Sequence, residues 1–340
     1  MSLIKYQNKL RGFSLIELMI GLALGAFLML GVSQIFISNT QSNNMQRAFA
    51  RVQESGRFAM ELLAKDIRMA DYWGCQADNS SNFTNNLDQS HANYNSQAKD
   101  VVDSLTKGGV RGWDNVAASH TVNGVNAKVD TDVLKLSGAS GGTSIHLVPP
   151  YHSNALHINK DNGLARGDII MVSDCAGGDI FEISNANPNN SGTVVHNTGV
   201  VTVVGNANGK LSKKYQGDAG IILPQQKTYF LSTGVSGTTS LFVATNDDTP
   251  QEMVSDVEDM QILYGEDTTG DKVVDFYRTA ATVADMDNVI AIRVLLLVAS
   301  ADSSINPNGT VEFNGATIAA DGKLRKVYTA VANIRNRMDG

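Results

Sequence analysis

The hydrophobic pattern divides the chain into three parts. Residues 13–37 are apolar except for Glu17 and a few small or polar residues, and as a helix they would cross a hydrocarbon core of about 30 Å. Between residues 38 and 74, apolar residues recur every three or four positions, the period of an amphipathic helix. From residue 75 to 340, short apolar runs alternate with turns rich in Gly, Asn, Asp and Ser, which predicts a β-rich globular domain.

The amphipathic stretch is predicted to continue the apolar helix and to pack one face on the globular body. That face carries Met45, Phe49, Val52, Gly56, Ala59, Leu63, Ile67 and Ala70. Trp73-Gly74-Cys75 is predicted to end the helix, with Gly74 as the stop.

The body is predicted to be a largely antiparallel sheet, which makes the whole chain an α+β protein with a long N-terminal helix packed on strands. Residues 76–99 are polar enough to predict a surface loop, and Glu252–Met260 is the only segment beyond it that suggests a short helix. The predicted strands are Val133–Ser137, Ser144–Val148, Asp168–Ser173, Ile180–Ser184, Val200–Val204, Thr228–Ser232, Ser240–Ala244, Val289–Ala299 and Val327–Ala332.

Charges around the apolar segment predict its orientation. Lys5, Lys9 and Arg11 precede it, and the next positive charge is Arg47, so the N-terminus should stay in the cytoplasm while the rest crosses the membrane. A secretory signal peptide would need a shorter apolar region closed by a small-residue cleavage site. A plain signal anchor would leave Glu17 unexplained, because a carboxylate within a spanning helix costs several kcal/mol unless it is paired.

Composition limits the partners and the cross-links. The formal net charge is −7, and it would be −10 without the three basic residues before residue 13, so no electrostatic attraction to nucleic acid is expected. The two cysteines, Cys75 and Cys175, are too few for a structural zinc site. In an extracytoplasmic body they would form one disulfide; the alternative is two unrelated buried thiols.

The junction between the leader and the apolar segment resembles a known processing site. Gly12-Phe13-Ser14-Leu15-Ile16-Glu17-Leu18 is similar to the prepilin peptidase site of type IV pilins and type II secretion pseudopilins. The resemblance implies a class III leader, residues 1–12, cleaved before Phe13. It also implies N-methylation of Phe13 and a subunit-docking role for Glu17, which could neutralise the new amine of its own chain or of a neighbour.

Two features of this helix qualify the resemblance. Many major pilins carry a proline about two-thirds along it, whereas Ser33 and Gln34 stand there in this chain, which favours a minor component. Gly21 and Gly25 form a G-x-x-x-G step that would permit close helix approach, although small residues are common in such helices without that role.

Four further segments resemble PilW-type minor pilins. They are Leu63–Ala70 running into Tyr72–Cys75, Val172–Cys175, Gln261–Gly265 and Ala332–Asn336. The resemblance implies a Cys75–Cys175 disulfide and a minor pilin that primes pilus assembly near the tip. The implied partners are other minor pilins, the major pilin, a PilY-type adhesin, the prepilin peptidase and the inner-membrane assembly platform.

The same resemblance implies where the chain resides. Before assembly the helix would lie in the inner membrane with the body in the periplasm, and afterwards the protein would be part of the extracellular pilus. A J-type pseudopilin of type II secretion is one alternative, although such proteins are usually much shorter. A tip adhesin or DNA-uptake subunit is another, and it would need a basic or aromatic surface patch.

No catalytic or cofactor site is expected. The six histidines show no ligand spacing, and no nucleophile stands beside an evident base, so an enzyme is not predicted. One acidic segment could bind calcium through Asp267, Thr269, Asp271 and Asp275. The alternative is an acidic turn between two strands, because Lys272 stands where an EF-hand loop has glycine.

Overall fold

A computed structural model of the chain describes residues 12–74, 83–95, 97–140, 145–199, 202–306 and 309–338. Within these residues the helices are α1 (Leu15–Met69), α2 (Gln97–Thr106), α3 (Pro188–Ser191) and α4 (Arg335–Met338). Strands in the N-terminal half are β1 (Phe83–Asn85), β2 (Val110–Trp113), β3 (Thr121–Val122), β4 (Val125–Asn126), β5 (Val133–Ala139), β6 (Ile145–His146), β7 (Ala155–His157), β8 (Ile169–Asp174), β9 (Gly177–Glu182) and β10 (Thr193–Val195). The C-terminal half adds β11 (Gly220–Ile222), β12 (Pro224–Thr233), β13 (Thr239–Thr245), β14 (Gln251–Ser255), β15 (Val257–Glu266), β16 (Phe276–Arg278), β17 (Val289–Ala299), β18 (Val311–Phe313), β19 (Ala316–Ile318) and β20 (Arg325–Asn333).

These strands form three larger sheets. The central sheet has the order β14-β13-β12-β5-β2, the C-terminal sheet β16-β15-β17-β20, and the lobe sheet β1-β9-β8-β11-β6. Neighbouring strands run antiparallel except β1 and β9, which run parallel. The prediction of a long N-terminal helix on a largely antiparallel β body is therefore confirmed.

The main hydrophobic core lies between α1, the central sheet and the C-terminal sheet. From Val52 onward α1 buries one face in this core, which includes Ala59, Leu63 and Ile67. Burial at three- and four-residue steps follows the predicted stripe, because those positions lie on one side of a helix. Met45, at the start of the stripe, is exposed since the body begins further along the helix.

A second core belongs to the lobe, the part of the chain from residue 145 to 222 that carries most of the lobe sheet. Its centre includes Leu156, Ile170, Phe181 and Tyr215. A third cluster joins the lobe to α2 and to Trp73, just beyond the end of α1. The lobe is thus a separately packed unit that contacts the main body near the end of the long helix.

Several local predictions are wrong. Helix α1 ends at Met69, short of Gly74, because Ala70 leaves the helical conformation and Asp71 adopts a left-handed one with φ 61°. The predicted loop at 76–99 contains β1, a 3₁₀ turn at Ala92–Asn95 and the start of α2. Glu252–Met260 lies on strands β14 and β15, where pairing with β13 and β17 overrides its local preference.

Most of the predicted strands overlap strands in the structure. Val289–Ala299 is confirmed at both ends, and six others overlap an observed strand. For Ser144–Val148, only Ile145–His146 is a strand, and residue 144 lies outside the described residues. Val200–Val204 is only partly described, and its residues 202–204 are not a strand.

Gly56 allows the closest approach between α1 and the C-terminal sheet. A Cβ atom built on Gly56 would overlap the ring of Tyr328 on β20. The Tyr328 hydroxyl donates to the Val52 carbonyl at 3.0 Å, which holds the ring against the helix. Glycine is thus required here by packing, against its unfavourable helix propensity.

Gly56→Ala is expected to lower the free energy of unfolding by about 1–3 kcal/mol, because the added methyl group displaces the Tyr328 ring. Chemical denaturation of the full chain in detergent would measure the change. In a Tyr328→Ala background the same substitution should stabilise the protein by up to about 1 kcal/mol, since only helix propensity remains. Equal effects in both backgrounds would contradict this packing argument.

Candidate assembly interface

The start of α1 is stabilised by a reciprocal cap that includes Glu17. Ser14 is the N-cap residue, and its Oγ accepts a hydrogen bond from the Ile16 N–H at 3.3 Å. The Glu17 carboxylate accepts from the Ser14 N–H at 3.1 Å. This capping box satisfies amides at the helix end and holds the carboxylate beside the backbone that follows Phe13.

The cap bears on the predicted cleavage between Gly12 and Phe13. Phe13 is 88% exposed, and Gly12 is exposed as well, so the bond between them is accessible. Cleavage would turn the Phe13 amide into an amine one residue from the Ser14 N–H, to which Glu17 is already bonded. Residues 1–11 lie outside the described residues.

The first part of α1 projects from the body with every residue from 12 to 47 exposed. At 1.5 Å per residue, positions 15–47 extend for about 50 Å. One window of this helix is apolar and long enough to cross a membrane, and none of it is buried. A Cβ atom built on Gly21 or Gly25 would meet no atom within 4 Å beyond the adjoining helix backbone, so the close approach predicted for them stays a prediction about helix partners.

A buried carboxylate fastens the second part of α1 to the central sheet. Asp66 accepts hydrogen bonds from Lys227 Nζ at 2.8 Å and from the Tyr229 hydroxyl, both on β12. Burial, and then the hydrogen bond to Asp66, raises the pKa of Tyr229, so the phenol stays protonated and donates. The ammonium balances the carboxylate charge, which a buried Asp requires.

The C-terminus forms a latch on the end of α1, made by Asp71, Asn336 and Arg337. Arg337 Nε donates to Asp71 Oδ2 at 2.6 Å, and Asn336 Nδ2 donates to the Ala70 carbonyl at 2.8 Å. Arg337 Nη1 also donates to the Val289 carbonyl at 2.7 Å. The latch therefore connects the helix end, the last residues of the described chain and strand β17.

Asp71 organises the turn that follows the helix. Its Oδ1 accepts from the Gly109 N–H at 2.9 Å and from Trp73 Nε1 at 3.0 Å, while its own N–H donates to the Ser137 carbonyl at 2.8 Å. Aspartate tolerates the left-handed conformation better than most residues. Sequence reasoning missed Asp71 and Arg337; the only signal was that segments beside both of them resemble PilW-type pilins.

The predicted disulfide falls partly outside the described residues. Cys175 lies in the turn between β8 and β9, and Cys75 is not described. Trp73 packs in the same cluster as Met171 and Ile180, which are on those two strands. The pairing of Cys75 with Cys175 stays a prediction, and this packing brings the chain before Cys75 to the sheet that carries Cys175.

The acidic segment after β15 uses its carboxylates to hold a turn. Asp267 Oδ1 accepts from the Gly270 N–H at 2.6 Å, and its Oδ2 accepts from the Lys272 N–H at 2.8 Å. Asp275 Oδ2 accepts from both the N–H and the hydroxyl of Thr268. These hydrogen bonds fit the acidic turn, and calcium binding by this segment stays a prediction.

The remaining titratable groups provide no catalytic arrangement in the part of the chain that the structure describes. The rings of His152 and His157 lie 5.7 Å apart between centroids. Throughout the described ranges no three His, Cys, Asp or Glu side chains are grouped so that they could hold a metal ion. Two clefts, of about 260 and 750 Å³, flank α1 where it meets the body.

Comparison with protein families relates these features to a class of protein. Residues 7–33 match the prokaryotic N-terminal methylation motif, and residues 228–336 match Type IV Pilus-assembly protein W, PilW. Both matches support a type IV pilin-like protein, a class whose members are structural components of fibres. More particularly, they support a PilW-type minor pilin with a class III leader, so the predicted resemblance is confirmed.

A search of curated protein sequences returns no match. Among solved structures, a type IV-like pilin from Thermus thermophilus is 10% identical, with 84% of this chain and 97% of that chain covered and a TM-score of 0.32. The methylation motif and the exposed apolar helix together indicate membrane anchoring and assembly into a pilus. The family implies contact with other pilus components.

Proposed function

We propose that this minor pilin primes type IV pilus assembly and is incorporated near the pilus tip, where it docks through α1. The observation that carries the proposal is the fully exposed apolar half of α1, with Glu17 as the only acid before residue 54. Such a surface is stable only in lipid or among other apolar helices. Transfer from membrane to fibre exchanges one of these environments for the other.

Glu17 supplies the specificity of docking. After cleavage and N-methylation, the Phe13 amine is a cation at the helix start, in a region without water to solvate it. The capping box presents the carboxylate at the first turn of α1. It neutralises this amine before assembly, and in the fibre it pairs with the amine of the neighbouring subunit.

The proposed topology follows from the charges around the helix. The leader lies in the cytoplasm until the prepilin peptidase removes it, residues 13–37 span the inner membrane, and residues 38–74 carry the periplasmic body. The assembly platform then moves the subunit into the pilus beside other minor pilins, the major pilin and a PilY-type adhesin. The Cys75–Cys175 disulfide forms in the oxidising periplasm.

One mass measurement of the mature chain tests the processing steps. The expected mass is that of residues 13–340 with one added methyl group and without the two thiol hydrogens. Reduction should restore those hydrogens, and fragmentation should place the methyl group on Phe13. An intact leader would overturn the prepilin assignment, whereas free thiols would overturn only the disulfide.

The position of this protein along the pilus needs a separate measurement. Immunogold labelling of sheared pili should find this chain at fibre ends, and deletion of its gene should reduce fibre number without changing fibre length. Uniform labelling along the fibre would contradict the tip proposal. Loss of protein secretion with normal piliation would favour the J-type pseudopilin instead.

A further inference from the structure

Strand β20 forms an unpaired edge of the C-terminal sheet. It pairs with β17 over all nine residues, from Arg325 to Asn333, without a register shift. Within the described ranges, no other strand follows it in the sheet. Among the described residues, no hydrogen bond joins the backbone of β20 to anything but β17. The outward N–H and C=O groups of alternate residues are therefore available to a further strand.

This edge lacks the features that usually block strand addition. The other edges of the three larger sheets, at β1, β2, β6, β14 and β16, are at most five residues long. Natural edges are kept short, bulged, or marked by proline and charge. Strand β20 has no proline and no bulge, and its charged residues are confined to the first two positions, Arg325 and Lys326.

The side chains of β20 are also more exposed to solvent than those of β17. Strand β17 is almost entirely buried, whereas Thr329 and Val331 on β20 are exposed, Val331 to 46%. The β18–β19 hairpin contacts β20 and reaches β15, where Asn314 Nδ2 lies 3.4 Å from Gln261 Oε1, but it forms no ladder with β20.

The charge of Lys326 restricts which strand could add to this edge. Arg325 is paired with Glu258 and Asp321. Lys326 forms no ion pair with any described carboxylate; its ammonium lies 5.2 Å from the ring centre of Tyr328. A complementary strand would place an Asp or Glu beside Lys326.

Strand β20 and helix α1 run in the same direction along each other. Lys326 lies over the Phe49 ring, Tyr328 bonds to Val52, and Ala332 borders the same gap as Ile67. An added strand would thus lie beside the helix that docks in the fibre. This surface continues the proposed helix interface onto the body.

Pairing of β20 with β20 of a second copy of this chain does not satisfy these conditions. Two copies joined antiparallel through β20 are related by a two-fold axis that reverses the strands, and with them the two α1 helices. The copies could not then both enter one membrane with the same orientation. Parallel self-pairing would place the two Lys326 side chains side by side, and like charges opposite each other destabilise a sheet.

We propose that β20 accepts an extended strand from a different subunit of the fibre. The occupant is a segment of at least four uncharged residues flanked by an Asp or Glu that reaches Lys326. Backbone hydrogen bonds would provide affinity, and the carboxylate would set the register. The inference rests on the proposed function, because the fibre supplies the neighbouring subunit.

Hydrogen–deuterium exchange would test strand addition on the full chain. The protein would be compared as a detergent-solubilised monomer and within fibre complexes isolated from cells with an antibody. The expected result is that about half of the amides in Arg325–Asn333 exchange tenfold or more slowly in the complex. The β14 edge, Gln251–Ser255, serves as the internal control and should not change.

The outcomes separate this inference from the proposed function. Protection of α1 without protection of β20 would overturn strand addition and leave helix docking in place. Absence of the chain from fibre complexes would overturn the proposed function itself. Protection of β20 in concentrated purified protein, without other fibre subunits, would show that a second copy of this chain pairs with the edge. That result would overturn the proposal of a strand from a different subunit.

A pair of substitutions provides an independent test. Val331→Lys introduces an edge charge, and Val235→Lys places the same charge at a hairpin tip that is 98% exposed. Both should melt within a few degrees of the wild type. Val331→Lys should remove the β20 protection and lower recovery in fibre complexes about tenfold, while Val235→Lys should change neither. Equal recovery of the two variants would contradict the proposal.

Discussion

Replacement of Glu17 by alanine is expected to lower the amount of this protein in assembled pili about tenfold or more. Loss of a carboxylate–ammonium pair worth more than about 1.4 kcal/mol in an apolar environment accounts for a tenfold change in an equilibrium. The substitution removes a charge from the spanning helix, so membrane insertion should not suffer. Immunoblots of sheared pili and of membrane fractions would measure the distribution.

Three further variants separate charge from helix capping. Glu17→Gln keeps a side chain that accepts from the Ser14 N–H but carries no charge, so it should behave like Glu17→Ala. Ser14→Ala removes the other half of the cap, at about 1 kcal/mol, and should assemble nearly normally because the carboxylate remains. Glu54→Ala, at an exposed position of the packed half of α1, is the matched control and should match wild type.

Folding must be followed in the same experiment. The body should show the same protease resistance in Glu17→Ala as in the wild type, because Glu17 is exposed and lies on α1 well before Val52, where burial in the core begins. Wild-type piliation by the Glu17→Ala variant would refute the docking role. Loss of the protein from the membrane fraction would show instead that Glu17 acts in processing or insertion.

Arg337→Ala is expected to have the largest effect on stability, about 3–5 kcal/mol in the free energy of unfolding. The guanidinium is buried, and its removal leaves the Asp71 carboxylate without its ion-pair partner. The Val289 carbonyl also loses a hydrogen-bond donor. Denaturant titration of the full chain in detergent would measure the change.

Arg335 is a matched control within the same short helix. It is exposed and forms no ion pair with a described residue, so Arg335→Ala should change stability by less than about 0.5 kcal/mol. A double-mutant cycle with Asp71→Ala would isolate the ion pair, and its coupling energy should exceed 1 kcal/mol, roughly. Similar effects of Arg335→Ala and Arg337→Ala would show that the latch does not stabilise the body.

The sequence predicted those parts of the fold that depend on local pattern. A run of apolar residues with one acid defined the projecting helix, and the three-to-four-residue period identified the face that packs from Val52 onward. Strand β17 was predicted at both ends because it is a β-branched and aliphatic run interrupted only by Arg293. These patterns are formed by residues that are neighbours in the sequence. They can therefore be recognised without knowing which distant residues the element contacts.

Predictions failed where distant residues decide the conformation. Helix α2 begins within a polar segment whose composition favours turns, and it is held by packing against Trp73 and the lobe sheet. Strand β14 was predicted as part of a helix, yet its backbone hydrogen bonds go to β13. Residue-by-residue propensity is a weak guide when tertiary contacts of this kind are made.

For the interface, the sequence by itself determined the N-terminal methylation motif, the acid at the helix start and the apolar length, because all three are adjacent along the chain. Only the tertiary structure decided where the helix ends and what holds it. Asp71 and Arg337 are 266 residues apart and become partners through the fold. The open edge at β20 is likewise a property of sheet order, which a strand's own residues do not specify.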